Sequence, residues 1–274
     1  MGQNGQASDF SRVDSSAKPS QCVEVTDRLS AINYFEQIAR QIAALMELRS
    51  GDAALDVGCG TGEQTRMLAG MVGASGAAIG IDVSAKMLTE AASRTPTDSV
   101  ARFGRADARV LPFADCSFDA CRAERVLLHV AEPRQAIQEM LRVSKPGARL
   151  VFSEPDWGSA ILDSPDWRLT ETILRFYCET LACGRIGRML PGLLMDEGLT
   201  DVTTIPSVFL TLKNPNLEGG PLAESAECAV RSGIVSAESR DRWLADLRET
   251  DARGRFFFSI TCFTVRAIRP LSIH

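Results

Sequence analysis

The sequence predicts an α/β fold, a doubly wound seven-stranded sheet with helical cap insertions. Three observations carry that expectation. Short apolar runs alternate with amphipathic helical runs across 53–153, the rhythm of parallel βαβ units with helices on both sheet faces. A glycine-rich turn, Gly58-Cys-Gly-Thr-Gly62, leaves the first strand and opens a helix, which is where an open α/β sheet binds its ligand. The 274 residues are 45% apolar and 24% charged, the mix of a chain that buries a sizeable core unaided.

The elements follow in order. Residues 1–20 are polar and rich in Gly, Ser and Gln, so they are expected to be flexible, and they lack the charged-then-apolar layout of a secretion signal. Across 27–48, Leu29, Ile32, Phe35, Ile38, Ile42 and Leu45 recur at steps of three and four, which predicts one amphipathic helix. Strands are then expected at 53–57, 77–81, 100–103, 118–122 and 148–153. Helices are expected between them at 61–71, 84–94 (Ser84 as N-cap) and 133–143, with Lys145-Pro-Gly147 as a turn.

After Glu154 the rhythm changes. Helices are expected at 165–182 and 187–197, a strand at 201–212 and a Gly/Pro-rich loop at 214–221. A helical stretch broken near Gly233 covers 222–249, and a last strand covers 255–268. Two final strands with helices before and between them read as a cap grafted on the sheet edge. The expected organisation is a flexible N-terminus (1–20), an N-terminal lid helix (21–50), a ligand-binding core (51–158), and a helical cap with the last two strands (159–274).

Composition excludes several functions. Net charge is −5 and the pI is about 5.3, with arginines scattered, so no nucleic-acid partner is expected. No apolar run approaches the ~20 residues of a membrane span, so no membrane span and a cytoplasmic location are expected. The eight cysteines form no Cys-x-x-Cys pair and there are only two histidines, so no metal site is expected. The cysteines read as small, buried, reduced side chains.

The turn discriminates between ligands. Its spacing is G-x-G-x-G, and Glu63 stands where a dinucleotide fingerprint has its third glycine. A carboxylate there is awkward beside a pyrophosphate and matters less beside a zwitterionic amino-acid tail. No Lys-Ser/Thr follows, so the turn is not a P-loop.

With its ordered partners the turn resembles a known family. Leu55–Gly62 resembles motif I of class I S-adenosylmethionine (SAM)-dependent methyltransferases. Ile79-Gly-Ile-Asp82 resembles the acidic motif of the second strand, and Gly104-Arg-Ala-Asp107-Ala108 with Leu111-Pro-Phe113 that of the third. Phe118-Asp-Ala-Cys and Leu127-Leu-His129-Val resemble the fourth-strand region, and 140–147 the signature before the fifth strand. The resemblance implies a Rossmann-like sheet, mostly parallel with an antiparallel last strand. It implies SAM as cofactor and S-adenosyl-L-homocysteine as product.

Residue roles follow. Asp56, Gly58, Cys59, Gly60 and Gly62 form the turn, with Asp56 near the methionine amine. Asp82, at a strand end, can accept from both ribose hydroxyls. Asp107 can accept from the adenine amino group, and Ala108 offers its backbone N–H to the ring. Either of these carboxylates could instead be a plain turn or loop cap. Val83 and Met87 are expected near the adenosine, Met87 equally as core. Arg122, beside Ala123 at the end of the fourth strand, either pairs with a carboxylate of the methionine half or is a solvated arginine.

The reaction is an in-line displacement from an activated sulfonium, so the enzyme mainly aligns the acceptor and excludes water. His129 is the candidate general base, or else a structural residue. Glu154-Pro-Asp-Trp157 could line the substrate mouth with Trp157 stacking on substrate, or could simply end a strand. Tyr34 and Phe35 could close over SAM. The run 118–158 most resembles the ubiquinone/menaquinone-biosynthesis-like and natural-product branch, enzymes of small-molecule and secondary metabolism. Neither an Asn/Asp-Pro-Pro-Tyr/Phe motif nor a Pro-Cys nucleophile follows the fourth strand. The first reading is therefore O- or C-methylation of a small, fairly apolar molecule. The alternatives are a SAM-binding protein without methyl transfer (a cyclase or a regulatory module) and a protein or tRNA methyltransferase. Oligomeric state and acceptor identity are not encoded in any motif.

Overall fold

The structure, a computed structural model, describes Asp14, residues 19–213 and residues 221–271. Most of the expected flexible N-terminus, most of the 214–221 loop, and His274 lie outside the described residues.

The sheet is ordered β3-β2-β1-β4-β5-β8-β7, from strands Ala53–Val57 (β1), Ala77–Asp82 (β2), Ala101–Arg105 (β3), Phe118–Glu124 (β4), Ser144–Pro155 (β5), Thr200–Thr211 (β7) and Phe258–Ile268 (β8). The first five run parallel; β8 is antiparallel to both β5 and β7. An eighth strand of two residues, Ile161–Leu162 (β6), pairs with β8 beyond the point where β5 ends. The seven expected strands are all present, and the antiparallel last strand with them.

Alternation along the parallel strands sorts side chains to the two faces. Ala54, Ala78, Ala101, Ala120 and Val151 face α2 (Asn33–Leu45) and α3 (Glu63–Val72). Leu55, Val57, Ile81, Cys121, Leu150 and Phe152 face α5 (Pro133–Val143) and α7 (Ile186–Asp196). The small residues on the first face let α2 and α3 sit close to the sheet. A second core joins α6 (Trp167–Thr180), α8 (Pro221–Arg231) and α9 (Ala237–Ala252) around the buried Trp243, whose Nε1 donates to Thr170 Oγ1 at 2.8 Å. This is the cap.

Two expectations are corrected. The single helix over 27–48 is two, α1 (Pro19–Ser30) and α2, parted at Ala31 and Ile32. The turn read at 145–147 lies inside β5, whose pairing with β4 shifts register between Phe118 and Ala120. The seventh helix keeps Pro191 inside it. Among the described residues no helix is long and apolar enough to cross a membrane.

Candidate functional site

The glycine turn sits at the carboxyl end of β1. Gly58 and Cys59 donate their N–H groups to the Ile81 carbonyl at 2.8 and 2.9 Å, which ties the turn to β2. Gly58, Gly60 and Gly62 all have positive φ, and Gly62 caps α3. At Gly58 the requirement is also steric: a Cβ there would stand 2.3 Å from Val126 Cγ2. The loop after β4 thus packs directly on the turn.

Asp82 holds the turn from the other side. Its Oδ2 accepts from Gly60 N at 3.0 Å and its Oδ1 from Ser84 N at 2.9 Å. Burial raises its carboxyl above the usual range, against those N–H donors. Ser84 caps α4 (Ala85–Ser93) as expected, accepting from Met87 N. Burial is likewise the leading influence on Cys59, whose thiol is pushed up.

Beneath the turn lies a buried charge cluster. Asp56, 2% exposed, accepts from Thr65 Oγ1 at 2.7 Å and lies 3.3 Å from Arg122 Nε. Arg122, 1% exposed, pairs through Nη2 with Glu124 Oε2 at 2.5 Å. Its Nε and Nη1 are buried without a hydrogen-bond partner. Burial raises the Asp56 carboxyl, and the Arg122 charge opposes the rise.

A cavity of about 80 Å³ opens over this cluster. Its walls include Asp56, Gly58, Cys59, Gly60 and Arg122 of the expected set. They also include residues that the sequence reading missed: Thr26 and Ser30 from α1, and Glu124 and Arg125 from the end of β4. A smaller neighbouring cavity, about 10 Å³, lies between Tyr34, Phe35 and Ile38 of α2 and the ends of β4, β5 and β8. Phe35, Glu124 and Arg125 line both.

Helix α2 is tied to β7. Tyr34 Oη and Ser207 Oγ are 2.8 Å apart, and Phe35 stacks on Phe209 with centroids 5.4 Å apart. The Arg125 guanidinium sits 4.5 Å above the Phe35 ring.

Other expected residues lie elsewhere. Val83 is half-buried and gives its carbonyl to Arg105 Nε at 2.8 Å. Met87 packs against Val23 and Cys22 of α1, the core alternative for that residue. Asp107 is engaged by Arg109, which donates from its backbone N at 2.9 Å and from Nη2 at 2.7 Å, the loop-cap arrangement. That partner holds its carboxyl below the usual range. Ala108 is buried beside it. His129 ends a short 3-10 turn, Leu127–His129, and lines neither cavity. Trp157 also lines neither: its indole lies edge-on to Tyr177, with centroids 4.7 Å apart, and packs between the two cores. Among the described residues no group of three or more His, Cys, Asp or Glu could hold a metal ion.

Glu154, fully buried at the end of β5, supports the loop after β4. Its carboxylate accepts from the N–H groups of Val126, Leu127 and Leu128 at 2.9, 2.8 and 3.3 Å. Burial pushes its carboxyl up to about 7, against those three donors. The folded value exceeds the ordinary 4.5, so this stability contribution is full below about pH 4.5 and is lost as pH rises through about 7. Stability of the wild type relative to Glu154→Gln is therefore expected to fall by roughly 3 kcal/mol from acid to neutral pH. Urea unfolding of both proteins at a series of pH values reads it; parallel profiles would contradict it.

A glycine turn at the carboxyl end of β1, a strand-end carboxylate at β2 and a buried Asp–Arg–Glu cluster lie where open α/β sheets bind their ligands. Comparisons with known proteins name the family. Residues 55–152 match the family described as "Methyltransferase domain". The chain is 37% identical over 259 residues to an uncharacterized 37.1 kDa protein in transposon TN4556 of Streptomyces fradiae, covering 93% of this chain and 73% of that protein. It is 35% identical over 134 residues to an O-methyltransferase of Penicillium expansum, and 39% identical over 131 residues to demethylmenaquinone methyltransferase of Staphylococcus aureus. Each match covers 47% of this chain, and the chain spans about half the length of those two enzymes (48% and 54%). Among solved structures, the YcgJ protein of Bacillus subtilis superposes with a TM-score of 0.62 at 18% identity, over 86% of this chain and 99% of that one. That likeness is one of fold. Residues 55–152 thus carry a methyltransferase domain, and SAM is its cofactor.

Proposed function

We propose that the protein transfers the SAM methyl group to oxygen or carbon of a small, fairly apolar organic molecule, leaving S-adenosyl-L-homocysteine. The observation that carries the cofactor assignment is the buried Arg122 beside the cavity over the glycine turn: its Nη1 has no acceptor, and its Nε makes no hydrogen bond although Asp56 Oδ1 lies 3.3 Å away. A buried donor without an acceptor is costly. The methionine carboxylate supplies that acceptor, and Asp56 faces the amine. Asp82 would hold the ribose, and Val83, Asp107 and Ala108 would form the adenine side once Asp107 releases Arg109. Residues 51–158 form this SAM-binding core, the N-terminal helices its lid and 159–274 the cap.

When bound, SAM supplies an activated methyl group. The chain's own residues orient the acceptor and exclude water. The lid does so through Phe35, which walls both cavities. At about 80 Å³ the first cavity is far below the ~300–1,000 Å³ of ligand pockets, so α1 and α2 must swing outward to admit SAM.

The relatives named for O-methyl transfer and for demethylmenaquinone support a small-molecule acceptor. Calorimetry with SAM tests the cofactor assignment, and a flat titration would refute it. Labelled SAM with a cell extract tests the acceptor class: label is expected in the small-molecule fraction. Label in protein or tRNA, or binding with no transfer at all, would refute this reading.

A further inference from the structure

The two cavities meet at three residues, Phe35, Glu124 and Arg125. The first holds the methionine half in the reading above, so the acceptor atom must arrive at that junction. What remains uncommitted there determines which atom fits.

The carboxylates are committed. Glu124, its side chain 8% exposed, takes Arg122 at 2.5 Å and stands 3.5 Å from Arg125 Nε. Glu154 receives three backbone N–H groups. Both are thus drawn to cations or N–H donors already present. Arg125 Nε is buried 3.5 Å from Glu124 Oε1 and makes no hydrogen bond, so the guanidinium keeps donors for an incoming oxygen.

Arg125 is also held in place. Its backbone sits at φ +55°, in the left-handed region that a non-glycine residue rarely adopts. Its N–H donates to the Ser153 carbonyl at 2.9 Å, and the next residue, Val126, is pinned by Glu154. The remaining walls of the second cavity are Tyr34, Ile38, Ser153, Glu154, Pro155 and Cys262.

We propose that Arg125 is the acceptor-binding residue and that the acceptor is an acidic hydroxyl compound, of phenol or enol type, held at this junction as its oxyanion. The proposal rests on the methyl-transfer reading. The guanidinium lowers the cost of ionising the hydroxyl, whose proton passes to solvent. The oxygen lone pair then forms the O–CH₃ bond while the C–S pair returns to sulfur, leaving a neutral ether and a neutral thioether. No general base is required, in keeping with the position of His129. An aryl acceptor that displaces Phe35 would keep the ring-to-guanidinium contact seen at 4.5 Å.

The test uses the full chain with S-adenosylhomocysteine and 7-hydroxycoumarin, a phenol whose excitation spectrum distinguishes phenol from phenolate. At a pH below the probe's own pKa, the phenolate-to-phenol ratio of the bound probe is expected to exceed the free ratio at least tenfold. Arg125→Lys keeps most of that gain; Arg125→Met returns the ratio to the free value. The ratio is internal to the bound population, so partial unfolding of a variant does not mimic the effect. An unchanged ratio in the wild type, a gain that survives in Arg125→Met, absence of probe binding, or tighter binding of 7-aminocoumarin each overturns the proposal. Calorimetry of S-adenosylhomocysteine on the same samples separates the two failures: if the wild type does not bind it, the methyltransferase reading falls and takes the proposal with it.

Discussion

Arg122→Met is expected to remove about 3–5 kcal/mol of folding stability, because it leaves two buried carboxylates facing each other without their counter-charge. Asp56 and Glu124 lie within 3.3 and 2.5 Å of the guanidinium, and both it and Asp56 are almost wholly excluded from water. Methionine matches the length of the stem but brings no charge. The orphaned Asp56 carboxyl, which burial already raises, then takes up a proton in the fold more readily than in the unfolded chain. Its raised value makes the variant's remaining stability highest at acid pH and lost as pH rises, so the gap from the wild type widens upward. Urea titrations at acid and neutral pH read both effects. Adding Glu124→Gln is expected to cost less than the two single changes summed, because the pair shares one interaction. A loss below about 1 kcal/mol would show that the cluster is already neutral through protonation.

Gly58→Ala is expected to weaken S-adenosylhomocysteine binding by about 100-fold or more, with a smaller loss of stability. Left-handed backbone at Gly58 costs an alanine about 1–2 kcal/mol. The new methyl would also meet Val126 Cγ2 at 2.3 Å, with Cγ1 and Cβ at 3.3 and 3.4 Å, so turning the valine does not clear the space. The turn must move, and with it the N–H groups of Gly58 and Cys59 now given to Ile81. Gly58→Ala with Val126→Ala removes the overlap but not the backbone strain, so it is expected to recover part of the affinity. Calorimetry decides; binding within about threefold of the wild type would refute the steric argument.

The parallel core was legible because its strands and helices repeat at distinct periods, and the glycine turn marks where they meet. The break between α1 and α2 was not, because the apolar spacing of Leu29, Ile32, Phe35 and Ile38 runs on through it. A two-residue strand such as β6 has no period at all. The site divides the same way. Asp56, Gly58, Gly60 and Arg122 follow from motif position, and all four line the cavity. Glu124 and Arg125 were missed because a run of charges reads as a strand that has ended at Arg122, whereas β4 continues to Glu124 and buries it. Thr26 and Ser30 are polar positions on a helix, indistinguishable in sequence from a solvated face. The pairing of Asp107 with Arg109, and of Trp157 with Tyr177, depends on rotamer and on distant packing, which spacing alone does not encode.

The place of β8 has a consequence for how the chain is made. It follows β7 in sequence, yet it lies between β5 and β7. Until residues 258–268 leave the ribosome, β5 keeps an unpaired edge and β7 has no partner. Ser207 and Phe209, which hold Tyr34 and Phe35, lie on that waiting strand. The glycine turn can therefore form before β7 is held against the sheet, which waits for residues 258–268. Premature stops before residue 258 are expected to yield a nascent core that exposes a sticky edge rather than a smaller working enzyme.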